Sequence, residues 1–169
     1  MMNRYVGFTL VEVMITLTIA MVLMMVAVPN MGKTYDFYRA DSQINTVQDF
    51  LIAARNQAIS YGTRITVCPV SANSCSNDWS LGLTMFIDNG NGNEIDGDDR
   101  ILQVIGPFPA KDTVSYSRSS IRFLPTGLAS GTNGTFRYCP SSKTSTQSLS
   151  LVVNNAGRVR DGEGPVICQ

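Results

Sequence analysis
Hydrophobic and polar positions divide this chain into three stretches. After a short polar start, Met1 to Gly7, the run Phe8–Val28 (FTLVEVMITLTIAMVLMMVAV) is almost continuously apolar. Its 21 residues make a helix of about 31 Å, enough to cross the hydrocarbon core of a bilayer. Beyond Pro29 and Gly32 the pattern turns amphipathic. Ile44, Val47, Leu51, Ala54 and Ala58 recur at steps of three and four, one face of a helix, with Arg39, Asp49 and Asn56 falling elsewhere on it. The helix should stop near Tyr61-Gly62, with Gly62 as its C-terminal signal. From Thr63 the period shortens to two. Residues 64–68, 101–105, 113–116, 121–124, 135–139 and 149–153 read as strands, and Leu81, Leu83, Met85 and Ile87 alternate as one buried strand face. Gly, Pro, Asn and Ser clusters separate them. The predicted class is α+β: a long N-terminal helix, its second half packed on a sheet, followed by antiparallel strands. The divisions fall at 1–7, 8–28, 29–62 and 63–169.

Charge and composition narrow the chemistry. The chain has 13 basic and 13 acidic residues among 169, which argues against a wholly basic nucleic-acid binder. Residues 36–112 nevertheless carry five basic and ten acidic groups, and residues 113–169 six basic and two acidic. Such asymmetry hints at a polarised surface. There is no histidine, which removes the usual general base and the commonest zinc ligand. No nucleophile–base set, phosphate loop or metal cluster is visible, so neither an enzyme nor a cofactor is expected. The four cysteines, Cys68, Cys75, Cys139 and Cys168, form no C-x-x-C pair. In an exported chain an even count reads as two disulfides, with three possible pairings. The preferred one is Cys68–Cys75, closing a short Pro/Ser/Asn loop, with Cys139–Cys168 tying the last residues to a strand. Free buried thiols are the alternative.

The Asn/Gly/Asp-rich segment 88–99 tempts a calcium assignment, since hard cations favour clustered oxygens. The EF-hand spacing fails: from Asp88 the third position is Gly90, and the frame from Asn89 ends in Arg100. A turn between strands is expected instead. Gly90 and Gly92 also lack the third glycine and following helix of a dinucleotide site.

Glu12 is the odd residue of the apolar run. A carboxylate there costs roughly 2.5–3.5 kcal/mol near a membrane helix centre, less toward its end. It either reaches the interface or awaits a positive partner. Arg4 on the near side suggests that this end stays cytoplasmic. A secretory signal would be cut after the run, and Val28-Pro29-Asn30 fits that poorly. The segment Gly7-Phe8-Thr9-Leu10-Val11-Glu12 resembles the type IV prepilin processing motif. The resemblance implies cleavage by a prepilin peptidase between Gly7 and Phe8, and N-methylation of the new Phe8 amine. It also implies that Glu12 docks the subunit by pairing with a neighbouring pilin's N-terminal amine. Pro29 falls where pilins carry a helix-kinking proline. The implied location is the bacterial inner membrane with the head in the periplasm, then the extracellular pilus.

Later segments are similar to the FimT/FimU/GspH group of minor pilins and pseudopilins: Phe86-Ile87-Asp88 before the Asn/Gly/Asp turn, Ile121-Arg122-Phe123-Leu124-Pro125-Thr126-Gly127, and Asn155-Ala156-Gly157-Arg158-Val159-Arg160. The second cysteine pair and the short tail after Arg160 depart from many relatives. The group implies a minor pilin that initiates or caps a type IV pilus, or a pseudopilin of type II secretion. DNA is a further candidate partner. In an extended strand Arg158 and Arg160 point the same way, roughly 6.5–7 Å apart, near the spacing of neighbouring phosphates. A G-R-x-R motif is associated with DNA binding in FimT-like pilins. Arg137 and Lys143 would extend the patch if the fold brings them near. The alternative is that these arginines are solvated residues on an edge strand.

Overall fold
The computed structural model describes residues 7–129 and 131–168, the side chains of residues 28–30 excepted. Residues 1–6, with Arg4, lie outside it. One helix, α1, runs Leu10–Tyr61 and includes the backbone of Pro29. Ten strands follow: β1 Ile65–Cys68, β2 Val70–Ser71, β3 Ser74–Cys75, β4 Leu83–Ile87, β5 Arg100–Ile105, β6 Thr113–Tyr116, β7 Ile121–Phe123, β8 Gly134–Cys139, β9 Leu149–Val153 and β10 Val159–Asp161. The chain divides into two compact units, one up to Tyr35 and one from Asp36 onward.

In the first unit Leu10–Ala27 is apolar and none of it is buried. Its two threonines return their hydroxyls to the helix: Thr16 Oγ1 donates to Val13 O at 3.0 Å and Thr18 Oγ1 to Ile15 O at 2.8 Å. That is the internal satisfaction a helix in lipid requires.

The second unit is the head. Ala40, Ile44, Val47, Leu51, Ala54 and Ala58 are all buried, because steps of three and four keep them on one face of α1. The helix ends where the sequence predicts. Gly62 adopts φ +64° and Thr63 N–H donates to Ala58 O, the Schellman closure that glycine permits. Opposite the helix lie two four-stranded antiparallel sheets, not one: β5-β4-β1-β7 and β10-β9-β8-β6, with a β2–β3 hairpin. Ile65, Val67, Leu83, Met85, Ile121 and Phe123 face the core from the first sheet. Val114, Tyr116, Phe136, Tyr138, Leu151 and Val153 face it from the second. The rings of Trp79 and Tyr116 lie 5.2 Å apart between them.

One expected strand position is different. Leu81 is 47% exposed, in a 3-10 turn spanning Trp79–Leu81. Asp78 caps that turn by accepting from Ser80 N. Gly82, at φ +101°, then lies so near Ile105 O that a Cβ would collide with it. The alternating face therefore starts at Leu83. The short strands β2 and β3 are absent from the sequence reading, because two residues carry too little period to register, whereas β10 is the extended segment expected around Arg158 and Arg160.

Cys68 and Cys75 are bonded, as are Cys139 and Cys168, with Cα–Cα distances of 5.5 and 6.2 Å. In the 88–99 loop three carboxylates accept hydrogen bonds from the protein. Asp99 accepts from Asn89 N and Asp96 N, Asp96 from Asn91 N, and Asp88 from Arg64, Thr66 and Asn93 N. Side-chain-to-backbone bonds of this kind favour a turn.

Candidate functional site
Two regions carry the residues singled out from the sequence. At the start of α1, Thr9 precedes the first helical residue and Glu12 is the third within it. Glu12 N donates to Thr9 Oγ1 at 3.3 Å, and Glu12 Oε2 accepts from Thr9 N and Thr9 Oγ1 at 3.4 Å. This is a capping box: two orphan donors at the helix start are satisfied reciprocally. Glu12 thus has a partner within its own subunit. Thr9 was missed, although T-x-x-E before an apolar run is a signal visible in sequence. Gly7 and Phe8 precede the helix and are exposed, Phe8 by 85%.

The second region is the β9–β10 hairpin. Asn154 O accepts from Gly157 N at 2.9 Å, Asn154 N donates to Arg158 O at 3.1 Å, and Gly157 stands at φ +72°. A tight turn closed by a left-handed residue favours glycine. Space demands it too: a Cβ on Gly157 would strike Gly127 O and approach Arg55 Nε to 3.1 Å. Arg55, on α1, donates from Nε to that same carbonyl at 3.0 Å, and Ala129 N donates to Asn155 O. The Leu124–Gly127 turn and the Asn155–Arg160 segment, separate in sequence, therefore pack together under Arg55. Nothing in the spacing of these segments announced that contact.

Beyond the turn, Arg158 and Arg160 are exposed, and Val159 between them packs against the core. Arg160 lies opposite Val152, and Val152 opposite Thr135. Arg137 lies opposite Ser150 on β9 and Ser115 on β6. These residues alternate with Phe136, Tyr138, Leu151 and Val153, which face the core, so they occupy the outer face. Arg137 shares that face with Arg160 at roughly 12 Å, two strands across and two residues along. Lys143 does not join them. It follows Cys139, whose row is about 20 Å from Arg158 along the sheet, and its carbonyl accepts from Cys168 N. Arg118 Nε donates to Asn133 O at 3.1 Å. The tail crosses by Ser148, whose Oγ accepts from Val166 N at 2.8 Å, and ends in the bond to Cys139.

Residues 2–28 match the prokaryotic N-terminal methylation motif. Residues 43–157 match the family described as Type II transport protein GspH. No curated protein sequence matches this one. Two crystal structures of the type IV minor pilin FimU from Pseudomonas aeruginosa share the fold. One, in space group P21, is 21% identical with a TM-score of 0.61, covering 77% of this chain and 95% of that one. The other, in P65, is 20% identical with a TM-score of 0.56, covering 76% and 99%. With the greater part of its length matched and its N-terminal motif in place, the chain belongs to the GspH family and is a type IV minor pilin or pseudopilin.

Proposed function
We propose that this protein is a minor pilin, incorporated at low abundance to initiate or cap a type IV pilus. One observation carries the reading: Leu10–Ala27 is an apolar helix with no buried residue, attached to a head that already has its own core. Such a surface needs lipid before assembly and neighbouring helices after it. The methylation motif supports processing between Gly7 and Phe8 and N-methylation of Phe8. Glu12 is the docking residue, attracting the free amine of a neighbouring subunit in a low-dielectric filament interior.

The capping box makes Glu12→Gln the informative test. Glutamine serves at the third helical position as glutamate does, so the helix start is kept and only the charge is lost. Full-length Glu12→Gln protein should remain in the membrane fraction but fall at least tenfold in sheared filaments. Normal recovery there would end the docking role.

A second reading, a pseudopilin of type II secretion, is favoured by the description of the matched family. A strain lacking the protein separates them: the pilin reading expects lost piliation with secretion intact, and the pseudopilin reading the reverse.

DNA binding belongs to the same proposal. Arg137 and Arg160 share an outer face with the uncharged Ser115, Thr135, Ser150 and Val152, and Arg158, two residues before Arg160, points the same way. Arginine forks suit phosphate, and such contacts are sequence-tolerant and salt-dependent. The head, residues 36–169, should bind duplex DNA weakly at low salt. Arg158→Gln with Arg160→Gln should weaken it several-fold and lower the salt slope by about two. Lys143→Gln, far along the sheet, should change little. Equal binding by the parent and the double variant would remove the DNA role.

A further inference from the structure
Counted by charge rather than by apolarity, the first part of α1 has sharp limits. Glu12 and Lys33 are the first two charged residues of α1, and the twenty positions between them, 13–32, carry no charge. Because the helix is unbroken there, they rise roughly 30 Å, the thickness of a bilayer's hydrocarbon core. With the Glu12 carboxylate at one interface, Lys33 reaches the other. Tyr35, Phe37 and Tyr38 then stand roughly 5–9 Å beyond the core, at headgroup depth. These rings lie outside the core of the head. Tyr35 is 63% exposed, Phe37 43% and Tyr38 66%, and the first buried residue of α1 among those described is Ala40. Apart from Phe8 and Tyr61 they are the exposed aromatic side chains among the described residues. Phe8 lies four residues before Glu12, at the opposite interface. Nor do the three rings make a single docking stripe. At about 100° per residue, Phe37 is turned roughly 100° from Tyr38 and 160° from Tyr35. A partner protein meets one face of a helix, whereas lipid headgroups surround it.

The charges of this stretch fit the same surroundings. Asp36 is the one acid among the rings, and the head engages it: its Oδ1 accepts from Arg39 Nη2 at 2.9 Å and from Ser141 Oγ at 3.0 Å. Arg39 pairs with Asp112 as well. The next acid, Asp41, lies roughly 13 Å beyond the hydrocarbon core. Lys33 is exposed, and an ammonium on a flexible stem reaches lipid phosphate. Tyrosine suits this depth because its ring is apolar and its hydroxyl meets water and headgroup oxygens. We infer that Lys33, Tyr35, Phe37 and Tyr38 anchor α1 in the phospholipid headgroup layer and fix the depth at which it sits before assembly. The inference rests on the membrane-spanning reading of Leu10–Ala27 given above. Held at that depth, Glu12 stays at the opposite interface, where a carboxylate is least unfavourable. Departure into a filament requires the rings to leave the headgroups. A subunit of low abundance is thereby kept in one register with the bilayer until its place in the filament is open.

The test uses the full chain in vesicles of phosphatidylethanolamine and phosphatidylglycerol whose acyl chains carry bromine at chosen depths. Single tryptophan replacements along α1 report the depth of each point, and Trp79, buried in the head, gives a constant background. Tyr35→Trp and Tyr38→Trp should be quenched roughly twofold more by shallow bromines than by deep ones. Ile19→Trp, in the middle of the span, should show the reverse. Ile52→Trp, roughly 30 Å beyond Gly32, should show no quenching above the parent. Removing the rings together, by Tyr35→Ser, Phe37→Ser and Tyr38→Ser, should spread the Ile19→Trp quenching over a wider range of depths. Circular dichroism checks that the fold is kept. An unquenched Ile19→Trp would overturn the span and the anchor together. Quenching of Ile19→Trp with none at positions 35 and 38 would leave the span standing and overturn the anchor. An unchanged Ile19→Trp profile in the triple variant would also overturn it, and loss of that variant from sheared filaments would then assign the rings to contact with a neighbouring pilin.

Discussion

Gly7→Val should leave the protein at precursor length, with the processed form falling from nearly all of the chain to nearly none. Gly7 precedes α1 and is exposed, and a Cβ built on it meets no atom within 4 Å. The substitution therefore has no packing cost in the folded subunit. What it changes is the approach of a second protein: a peptidase cleaving after residue 7 must bring its groups against the backbone, and glycine alone leaves that backbone bare. A branched side chain is the most obstructive small change, and Gly7→Ala should fall between the two. Membrane association should be unaffected, because Leu10–Ala27 is untouched. Gel mobility with mass spectrometry of the N-terminus reads the result. Wild-type processing of Gly7→Val would show that the leader ends elsewhere, and the roles given to Phe8 and Glu12 would then fail together.

Asp112→Ala should destabilise the head by about 3–5 kcal/mol, the usual result of removing one partner from a buried ion pair. The Asp112 side chain is 0% exposed and that of Arg39, which donates from Nη2 at 2.8 Å, is 10% exposed. Ser141 N donates to the same carboxylate at 2.9 Å. The Tyr138 hydroxyl donates to its other oxygen. Burial, then the hydrogen bond to Asp112, holds that phenol above its ordinary pKa, so it stays protonated as a donor. The cluster ties α1 to β8 and to the turn after it. Asp36 also pairs with Arg39, at 2.9 Å and 23% exposed, so some of the cation's stabilisation survives and the lower half of the range is expected. For a head of this size that corresponds to roughly 10–20 °C in Tm. Thermal unfolding with the disulfides intact measures it, with the exposed Asp98→Ala as a control expected to shift within about 0.5 kcal/mol. A Tm within 3 °C of the parent would mean that the carboxylate contributes little.

The chain itself determined what neighbouring residues can encode. The Phe8–Val28 run specifies a membrane-length helix because composition over twenty-odd positions suffices. The three-and-four spacing from Ile44 to Ala58 selects the buried face of α1, and Gly62 ends it, because both are properties of a local backbone. The longer strands were legible from alternation, and the Asn/Gly/Asp loop from its turn residues. The tertiary structure decided whatever depends on residues far apart. Lys111-Asp112 reads as an ordinary polar turn, yet Asp112 is wholly buried because Arg39, over seventy positions earlier, is brought beside it. Gly157 looks like a hinge before two arginines, and its second constraint comes from a carbonyl thirty residues earlier, held by Arg55. Arg137 and Lys143 are equivalent bases in the sequence, but strand register puts one on the arginine face and the other at its far end. The strand Arg100–Ile105 could have been central or peripheral, and only the pairing order left it open. Period and turn chemistry are written within a few residues of each other, whereas pairing order and charge burial arise when distant segments compete for the same partners.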